Sequence, residues 1–126
     1  MNEARLNLAV KSLEGASLVE ADGELGPWTI EAFSEAMHRA ADSNPDAVIL
    51  DLSRVESMDV GALKVLNETR AALGPDRKLC AVARGAARRV FEITRFDEIV
   101  GVFPRLQDAL DAIGGEAVTA GQGEAG

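Results

Sequence analysis

The chain has 126 residues, of which 47% are hydrophobic and 27% are charged, and its formal net charge is −8. This length and composition predict one globular domain with a modest core, and they exclude a globally disordered chain. No apolar run is long enough for a membrane-spanning helix, and the N-terminus lacks the basic and apolar regions of a secretory signal. We therefore expect a cytoplasmic protein without direct membrane insertion.

The single cysteine, Cys80, excludes an intramolecular disulfide. It lies in the apolar sequence Lys-Leu-Cys-Ala-Val, which is typical of a strand, and no second cysteine or histidine is near it in the sequence. We expect a small buried apolar residue rather than a redox centre.

The charge is unevenly distributed along the chain. Between Arg77 and Arg95 there are six basic residues and one acidic residue, so the rest of the chain is strongly acidic. This is too little positive charge for a nucleic-acid-binding surface. A solvated helix face is one interpretation; the other is that Arg84, Arg88 and Arg89 face an acidic partner or an anionic lipid surface.

The first third of the chain predicts two strands and a helix. Apolar residues alternate with polar ones in Leu6–Val10 and again, less regularly, in Leu18–Asp22, with a turn near Gly15 between them. We expect a loop over Gly23–Pro27. Apolar residues at three- and four-residue steps then predict a first helix over Trp28–Asp42.

The remaining sequence predicts three strands that alternate with three helices. A continuous apolar run implies a strand covered on both faces, and Gly-Pro or Gly-Gly pairs mark helix ends. The predicted elements are a strand over Ala47–Leu52, a polar loop to Asp59, a helix over Val60–Leu73, a strand over Leu79–Ala83, a helix over Gly85–Arg95, a strand over Ile99–Phe103, and an amphipathic helix from Leu106 to Ile113. The apolar set expected to face the core from the helix over Gly85–Arg95 is Ala87, Val90, Phe91 and Ile93.

The order ββαβαβαβα predicts an α/β fold. Strand–helix–strand units favour parallel pairing, whereas the first two strands form a hairpin. We expect a mixed, mostly parallel sheet of four or five strands, with about four helices packed mainly on one face. The domain is predicted to span residues 1–114, and residues 115–126, rich in Gly and Ala, are predicted to be a disordered tail.

No catalytic set is evident in the sequence. The single histidine, His38, lies in the middle of the first helix, where a surface residue is expected. Asp51 and Asp59 could form a paired carboxylate site, but a simpler interpretation is that Asp51 ends a strand and Asp59 caps the second helix. We expect no enzyme activity, no metal and no cofactor.

The start of the second helix is nevertheless suited to regulation. Free backbone N–H groups and the helix dipole converge there. A phosphorylated hydroxyl at the first helical position would add about −1.5 to −2 charges and repel a docked partner. In this chain that position is Val60, which has no hydroxyl.

Two short motifs stand on either side of the polar loop. The D-L-S strand end in Leu50–Ser53 is followed by Met58–Gly61 and Ala62-Leu63. These motifs resemble the STAS domain family, and among its members the bacterial anti-sigma factor antagonists, whose pattern is a D-L-S strand end before D-S/T-x-G-L. A G-E-L turn at Gly23–Leu25 and an amphipathic helix after Phe103 extend the resemblance.

The resemblance covers Leu6–Ile113 and implies an STAS-like fold and a protein-binding regulator. In the family, the loop before the second helix docks on an anti-sigma factor that is also a serine kinase, and phosphorylation of a Ser or Thr blocks docking. Here Val60 occupies the acceptor position, and Gly26 replaces a family aspartate. Of the nearby hydroxyls, Ser53 and Ser57, Ser57 is a weak candidate for phosphorylation.

The resemblance implies partner-binding residues in two neighbouring loops. Trp28, the single tryptophan, could be either a core residue or a contact anchor. The expected set is Gly26, Trp28, Ser57, Asp59, Val60, Gly61, Ala62 and Leu63.

Two functions follow from the resemblance. The first is an anti-sigma factor antagonist that binds a kinase-type anti-sigma factor to release a sigma factor, without the usual phosphorylation switch. The alternative is an accessory subunit of a lipid-transporting ABC system or of a stress-signalling assembly. We expect a monomer or a weak homodimer, since the edge of the first strand could pair with another chain.

Overall fold

The computed structural model describes residues 5–13, 15–43 and 45–122, with side chains as far as Gly114. Strands and helices alternate over most of this range, as predicted. The elements are β1 Leu6–Leu13, β2 Ala16–Leu25, α1 Ile30–Asp42, β3 Ala47–Met58, α2 Gly61–Leu73, β4 Lys78–Val82, α3 Gly85–Thr94, a 3-10 turn Phe96–Glu98, β5 Gly101–Phe103 and α4 Leu106–Gln122.

The five strands form one mixed sheet in the order β1-β2-β3-β4-β5. β1 and β2 are an antiparallel hairpin, and the pairs β2–β3, β3–β4 and β4–β5 are parallel. This confirms the predicted mixed, mostly parallel sheet. The helices between these strands pack across the sheet: α1 contacts β1 and β2, α2 contacts β4, and α3 contacts β3.

Alternate residues of the strands enter two different cores. Val19 and Leu50 face a large cluster that α1, α2 and α3 cover. Ile49 and Cys80 face a smaller cluster that α4 covers with one row of apolar residues, Leu106, Ala109, Leu110 and Ile113. Three of the four helices therefore pack on one face, as predicted.

β2 and β3 are longer than the sequence predicted. The expected loop at Gly23–Leu25 is the end of β2, because these residues pair with the end of β3 through Gly23–Val55 and Leu25–Met58. Asp51 does not end its strand; it lies in the middle of β3 and pairs with Val82 of β4. Polar residues after Leu52 suggested a loop, but backbone pairing with β2 keeps them extended.

Other differences concern the ends and faces of helices. α1 begins at Ile30 rather than Trp28, because Gly26–Thr29 forms a turn. Ile93, predicted to face the core, is exposed, and α3 buries Ala87 and Phe91.

The expected end of the last helix near Gly114 is too early, since α4 continues to Gln122. The side chains of residues 115–122, and residues 123–126 altogether, lie outside the described part of the chain. The disordered tail therefore stays a prediction.

Within the described range, no helix is long and apolar enough to cross a membrane.

Candidate functional site

The parallel pairing of β2 and β3 brings two loops together at one edge of the sheet. The register ends at Leu25–Met58, and the N–H of Asp59 then donates to the carbonyl of Leu25 at 2.7 Å. The chain after Leu25 enters α1 and the chain after Asp59 enters α2. The turn that begins at Gly26 therefore lies beside the start of α2, as the expected site requires.

The turn Gly26–Thr29 is held by the buried hydroxyl of Thr29. This hydroxyl donates to the carbonyl of Glu24 at 2.8 Å and accepts from the N–H of Gly26 at 3.0 Å. The N–H of Thr29 also donates to the carbonyl of Gly26 at 3.0 Å. The turn is thus rigidly tied to the end of β2, although most of its surface faces solvent.

Trp28 and Val60 are the exposed apolar residues of these two loops. The side chain of Trp28 is 88% exposed, so its interpretation as a core residue is wrong. Val60 is 60% exposed at the start of α2. An exposed tryptophan on a rigid turn is well suited to anchor a protein partner, because its large surface is ordered before binding.

Asp59 caps α2, as predicted. Its Oδ2 accepts a hydrogen bond from the N–H of Gly61 at 2.8 Å, two residues on, and its carbonyl accepts from Ala62 at 3.0 Å. Val60, with φ −61° and ψ −22°, is therefore already helical. The residue after the capping aspartate points from the first turn of the helix into solvent.

The other expected partner-binding residues divide by burial. Ala62 and Leu63 are buried in the larger core, so their expected direct contact with a partner is corrected: they hold α2 against the sheet. Gly26 and Gly61 are half-buried, and Ser57 is exposed on β3, paired with Glu24 of β2.

The two aspartates considered as a catalytic pair are far apart. Asp51 and Asp59 are separated by most of an extended strand, a distance on the order of 20 Å at ~3.3 Å per residue. The Oδ1 of Asp51 instead accepts from the backbone N–H of Ser53 at 2.9 Å and from its hydroxyl at 2.7 Å. The two carboxylates cannot act on one substrate atom.

His38 does not complete a catalytic set. It is exposed on α1, and its Nδ1 lies 3.5 Å from the hydroxyl of Ser34, without a third group that orients it among the described residues. In the same part of the chain, no three His, Cys, Asp or Glu side chains are grouped closely enough to hold a metal ion.

Sequence analysis missed a polar depression on the face of the sheet that α4 leaves open. Its volume is about 460 Å³ and it lies over β1, β2 and β3. Lys11 and Glu20 form an ion pair of 2.9 Å across it, and Asp51 and Arg54 line it. The available signal was the presence of charged residues inside strands, which marks positions that no helix covers.

Sequence analysis also missed the apolar part of the surface around α3. Arg88 pairs with Glu92 at 3.0 Å on this helix. Ile93 is 72% exposed, and Ile99, which follows the 3-10 turn, is 50% exposed. Helical periodicity alone placed Ile93 in the core.

Comparison with known proteins identifies a family. The family model described as STAS domain matches residues 7–109. The anti-sigma-F factor antagonist RsfB of Mycobacterium tuberculosis is 32% identical over 111 residues, which cover 87% of this chain and 91% of that protein.

Solved structures agree with this result. The crystal structure of an anti-sigma factor antagonist from Mycobacterium paratuberculosis has a TM-score of 0.82 and 34% identity, over 86% of this chain and 93% of the other. The unphosphorylated form of the anti-sigma factor antagonist SpoIIAA shares the fold, with a TM-score of 0.71 and 15% identity, over 86% of this chain and 97% of that one.

Proposed function

The chain belongs to the STAS domain family, and from this premise we propose that it is an anti-sigma factor antagonist. It docks on a kinase-type anti-sigma factor in the cytoplasm and thereby releases a sigma factor. Its similarity to the antagonist RsfB over most of both chains supports this assignment.

The observation that carries the proposal is the pair of exposed apolar side chains at one edge of the sheet. Trp28 and Val60 flank the backbone hydrogen bond between Leu25 and Asp59. We call Gly26, Trp28, Ser57, Asp59 and Val60 the docking edge. Burial of these apolar side chains by a partner would supply binding energy, and their rigid backbone limits the entropy lost on docking.

Docking at this edge is not switched by phosphorylation at the usual position. Val60 has no hydroxyl, and the Asp59 carboxylate next to it is engaged with the N–H of Gly61. The antagonist therefore stays competent to bind in the presence of ATP. Ser57 is the alternative acceptor, and its exposure on β3 leaves it accessible.

The test is calorimetric titration of the wild-type chain and a Val60→Glu variant into each purified anti-sigma factor of the source organism, with ATP present. We expect the wild type to bind one of them. Val60→Glu should weaken binding at least tenfold, because it introduces an uncompensated charge into the contact. Ala71→Glu is the matched control: it adds the same charge on the exposed side of α2, ten residues from its start, and should bind like the wild type.

Two results would contradict the proposal. If the wild type binds no anti-sigma factor but co-purifies with an ABC transporter or a stress-signalling assembly, the accessory-subunit function replaces it. If mass spectrometry after incubation with the kinase and ATP finds stoichiometric phosphate on Ser57, the docking edge is switched at Ser57 and does not stay competent to bind in the presence of ATP.

A further inference from the structure

A second apolar surface lies away from the docking edge. Four large apolar side chains are exposed among the described residues: Trp28 and Val60 at the docking edge, and Ile93 and Ile99 around α3. Ile93 ends one row of exposed residues on α3 that also contains Ala86 and Arg89. Ile99 follows the left-handed turn at Arg95, which has φ +63°.

The same surface carries unpaired positive charge. Arg88 and Arg95 are each neutralised by a glutamate on their own segment, at 3.0 Å and 3.2 Å. Arg84 and Arg89 are exposed, and neither forms an ion pair within the described part of the chain. We call Arg84, Arg89, Ile93 and Ile99 the α3 surface.

The core connects the α3 surface to the docking edge. α3 packs against β3. Ala87 and Phe91 of α3 share a buried cluster with Met58, the residue before Asp59. Since β3 and β4 are parallel and lead into α2 and α3, both helices begin at the same end of the sheet.

We propose that the α3 surface is a second contact for the same anti-sigma factor, and that it recognises an acidic patch with an apolar recess that receives Ile93. This inference rests on the proposed function and adds the chemistry of the partner. Electrostatic complementarity is the basis. A chain with a net charge of −8 repels an acidic partner over most of its surface, so a local pair of free arginines orients the encounter.

An anionic membrane fits this surface less well than a protein. Stable electrostatic attachment to anionic lipid needs a cluster of four or more basic residues. The α3 surface offers two unpaired arginines, on a chain whose net charge is negative. A protein partner can match two charges and one apolar side chain individually, whereas a bilayer cannot.

The experiment measures the affinity of the full chain for its anti-sigma factor at several salt concentrations. The variants are Arg84→Glu/Arg89→Glu, Ile93→Ser and Val60→Glu. The matched control is Arg39→Glu/Arg70→Glu, which makes the same change in net charge on the exposed sides of α1 and α2. Thermal unfolding followed by circular dichroism verifies that each variant is folded.

We expect Arg84→Glu/Arg89→Glu to weaken binding at least tenfold at low salt and to flatten its salt dependence. Ile93→Ser should weaken binding about fivefold, with little change in salt dependence, because it removes only apolar contact. The control should stay within threefold of the wild type.

Each contrary result has a distinct meaning. If the α3 variants bind like the control while Val60→Glu does not bind, the inference is overturned and the proposed function stands. The inference is likewise overturned, and the proposed function stands, if the α3 variants bind the anti-sigma factor normally. In that case they would lose only binding to phosphatidylglycerol vesicles, or only self-association in light scattering. If the wild type binds no anti-sigma factor, the proposed function fails and this inference fails with it.

Discussion

Asp59 and Gly61 depend on each other at the start of α2. The carboxylate of Asp59 accepts from the N–H of Gly61, and a Cβ atom added at Gly61 would lie 2.8 Å from its Oδ2. Such a contact would push the carboxylate away from its hydrogen bond. The cap, and not backbone strain, is therefore what favours glycine at position 61, since the φ of Gly61 is not positive.

A double-mutant cycle tests this dependence through the free energy of unfolding in urea. Asp59→Ala should cost about 1 kcal/mol because the cap is lost. Gly61→Ala should be close to neutral in the wild type, since the damaged cap offsets a gain in helix propensity of up to ~1 kcal/mol. In the Asp59→Ala background the same substitution should stabilise the protein. Equal effects of Gly61→Ala in both backgrounds would show that the two residues are independent.

Cys80 makes stability dependent on alkaline pH. Burial raises the pKa of its thiol from 9.0 to about 11, and the Lys78 ammonium lowers it by a smaller amount. Between pH 9.0 and about 11, the folded protein therefore keeps the thiol proton of Cys80, which the unfolded chain has lost. The stabilisation by the neutral thiol is therefore complete below pH 9 and is lost as the pH rises towards 11.

The measurement compares the wild type with Cys80→Ala by urea unfolding from pH 8 upward. Between the two pKa values, the wild type should lose about 2 kcal/mol of stability more than the variant. The cavity left by the substitution lowers the free energy of unfolding by the same amount at every pH, because it does not titrate. Parallel pH profiles for the two proteins would contradict a buried neutral thiol.

At the scale of elements, the turn between β2 and α1 depends on one hydroxyl. Thr29 is buried and satisfies both the N–H of Gly26 and the carbonyl of Glu24. Sequence analysis instead began the first helix at Trp28, within this turn, from the periodicity of the apolar residues that follow. The hydroxyl of Thr29 instead favours a separate turn, and this keeps Trp28 outside the helix and in solvent.

Thr29→Val keeps the shape of the side chain and removes the hydroxyl. We expect a loss of about 1–3 kcal/mol of stability, since two backbone groups lose their partner. The amide of Gly26 should exchange hydrogen faster, by a larger factor than amides in the middle of α2. Thr29→Ser retains the hydroxyl and should preserve slow exchange at Gly26. Slow exchange at Gly26 in the valine variant would contradict the role of this hydroxyl, because an N–H that is left to water exchanges fast.

The length of β3 is the second element-scale feature that positions the docking edge. β3 continues to Met58, whereas β4 ends at Val82, which pairs with Asp51. The end of β3 therefore projects beyond β4, with β2 on one side of it. This projection presents the start of α2 at the edge of the molecule, where a partner can reach Val60.

At the scale of the whole molecule, the sheet separates two cores of unequal size. α1, α2 and α3 cover one face, whereas α4 covers only part of the other and leaves the polar depression open. The candidate contacts, the docking edge and the α3 surface, belong to elements of the larger core. We expect α4 to contribute to stability and not to docking.

Truncation after Gly114 tests the predicted domain boundary. Ile113, next to the predicted boundary, packs against the sheet. If the domain ends at Gly114, removing residues 115–126 should change the free energy of unfolding by less than ~1 kcal/mol. Leu110→Ala, the comparison variant, should cost about 1–2 kcal/mol because its side chain is partly buried. A truncated chain that loses more than Leu110→Ala would place the boundary beyond residue 114.

The sequence by itself determined the family motif, the order of elements and the cap on α2. These features are local: Asp59 and Gly61 are two residues apart, and the periodicity of each segment reports its own helix or strand. The absence of a hydroxyl at Val60 is also read directly from the sequence. No tertiary contact was needed to expect a regulator without its usual switch.

Only the tertiary structure decided which apolar residues are left without cover. Trp28 and Ile93 could equally have packed in a core, because periodicity shows that a face is apolar and not what lies against it. The ends of β2 and β3 were likewise set by their partner strands, since backbone pairing keeps polar residues extended. Exposure and strand length both depend on distant parts of the chain, and together they determine the geometry of the proposed docking edge.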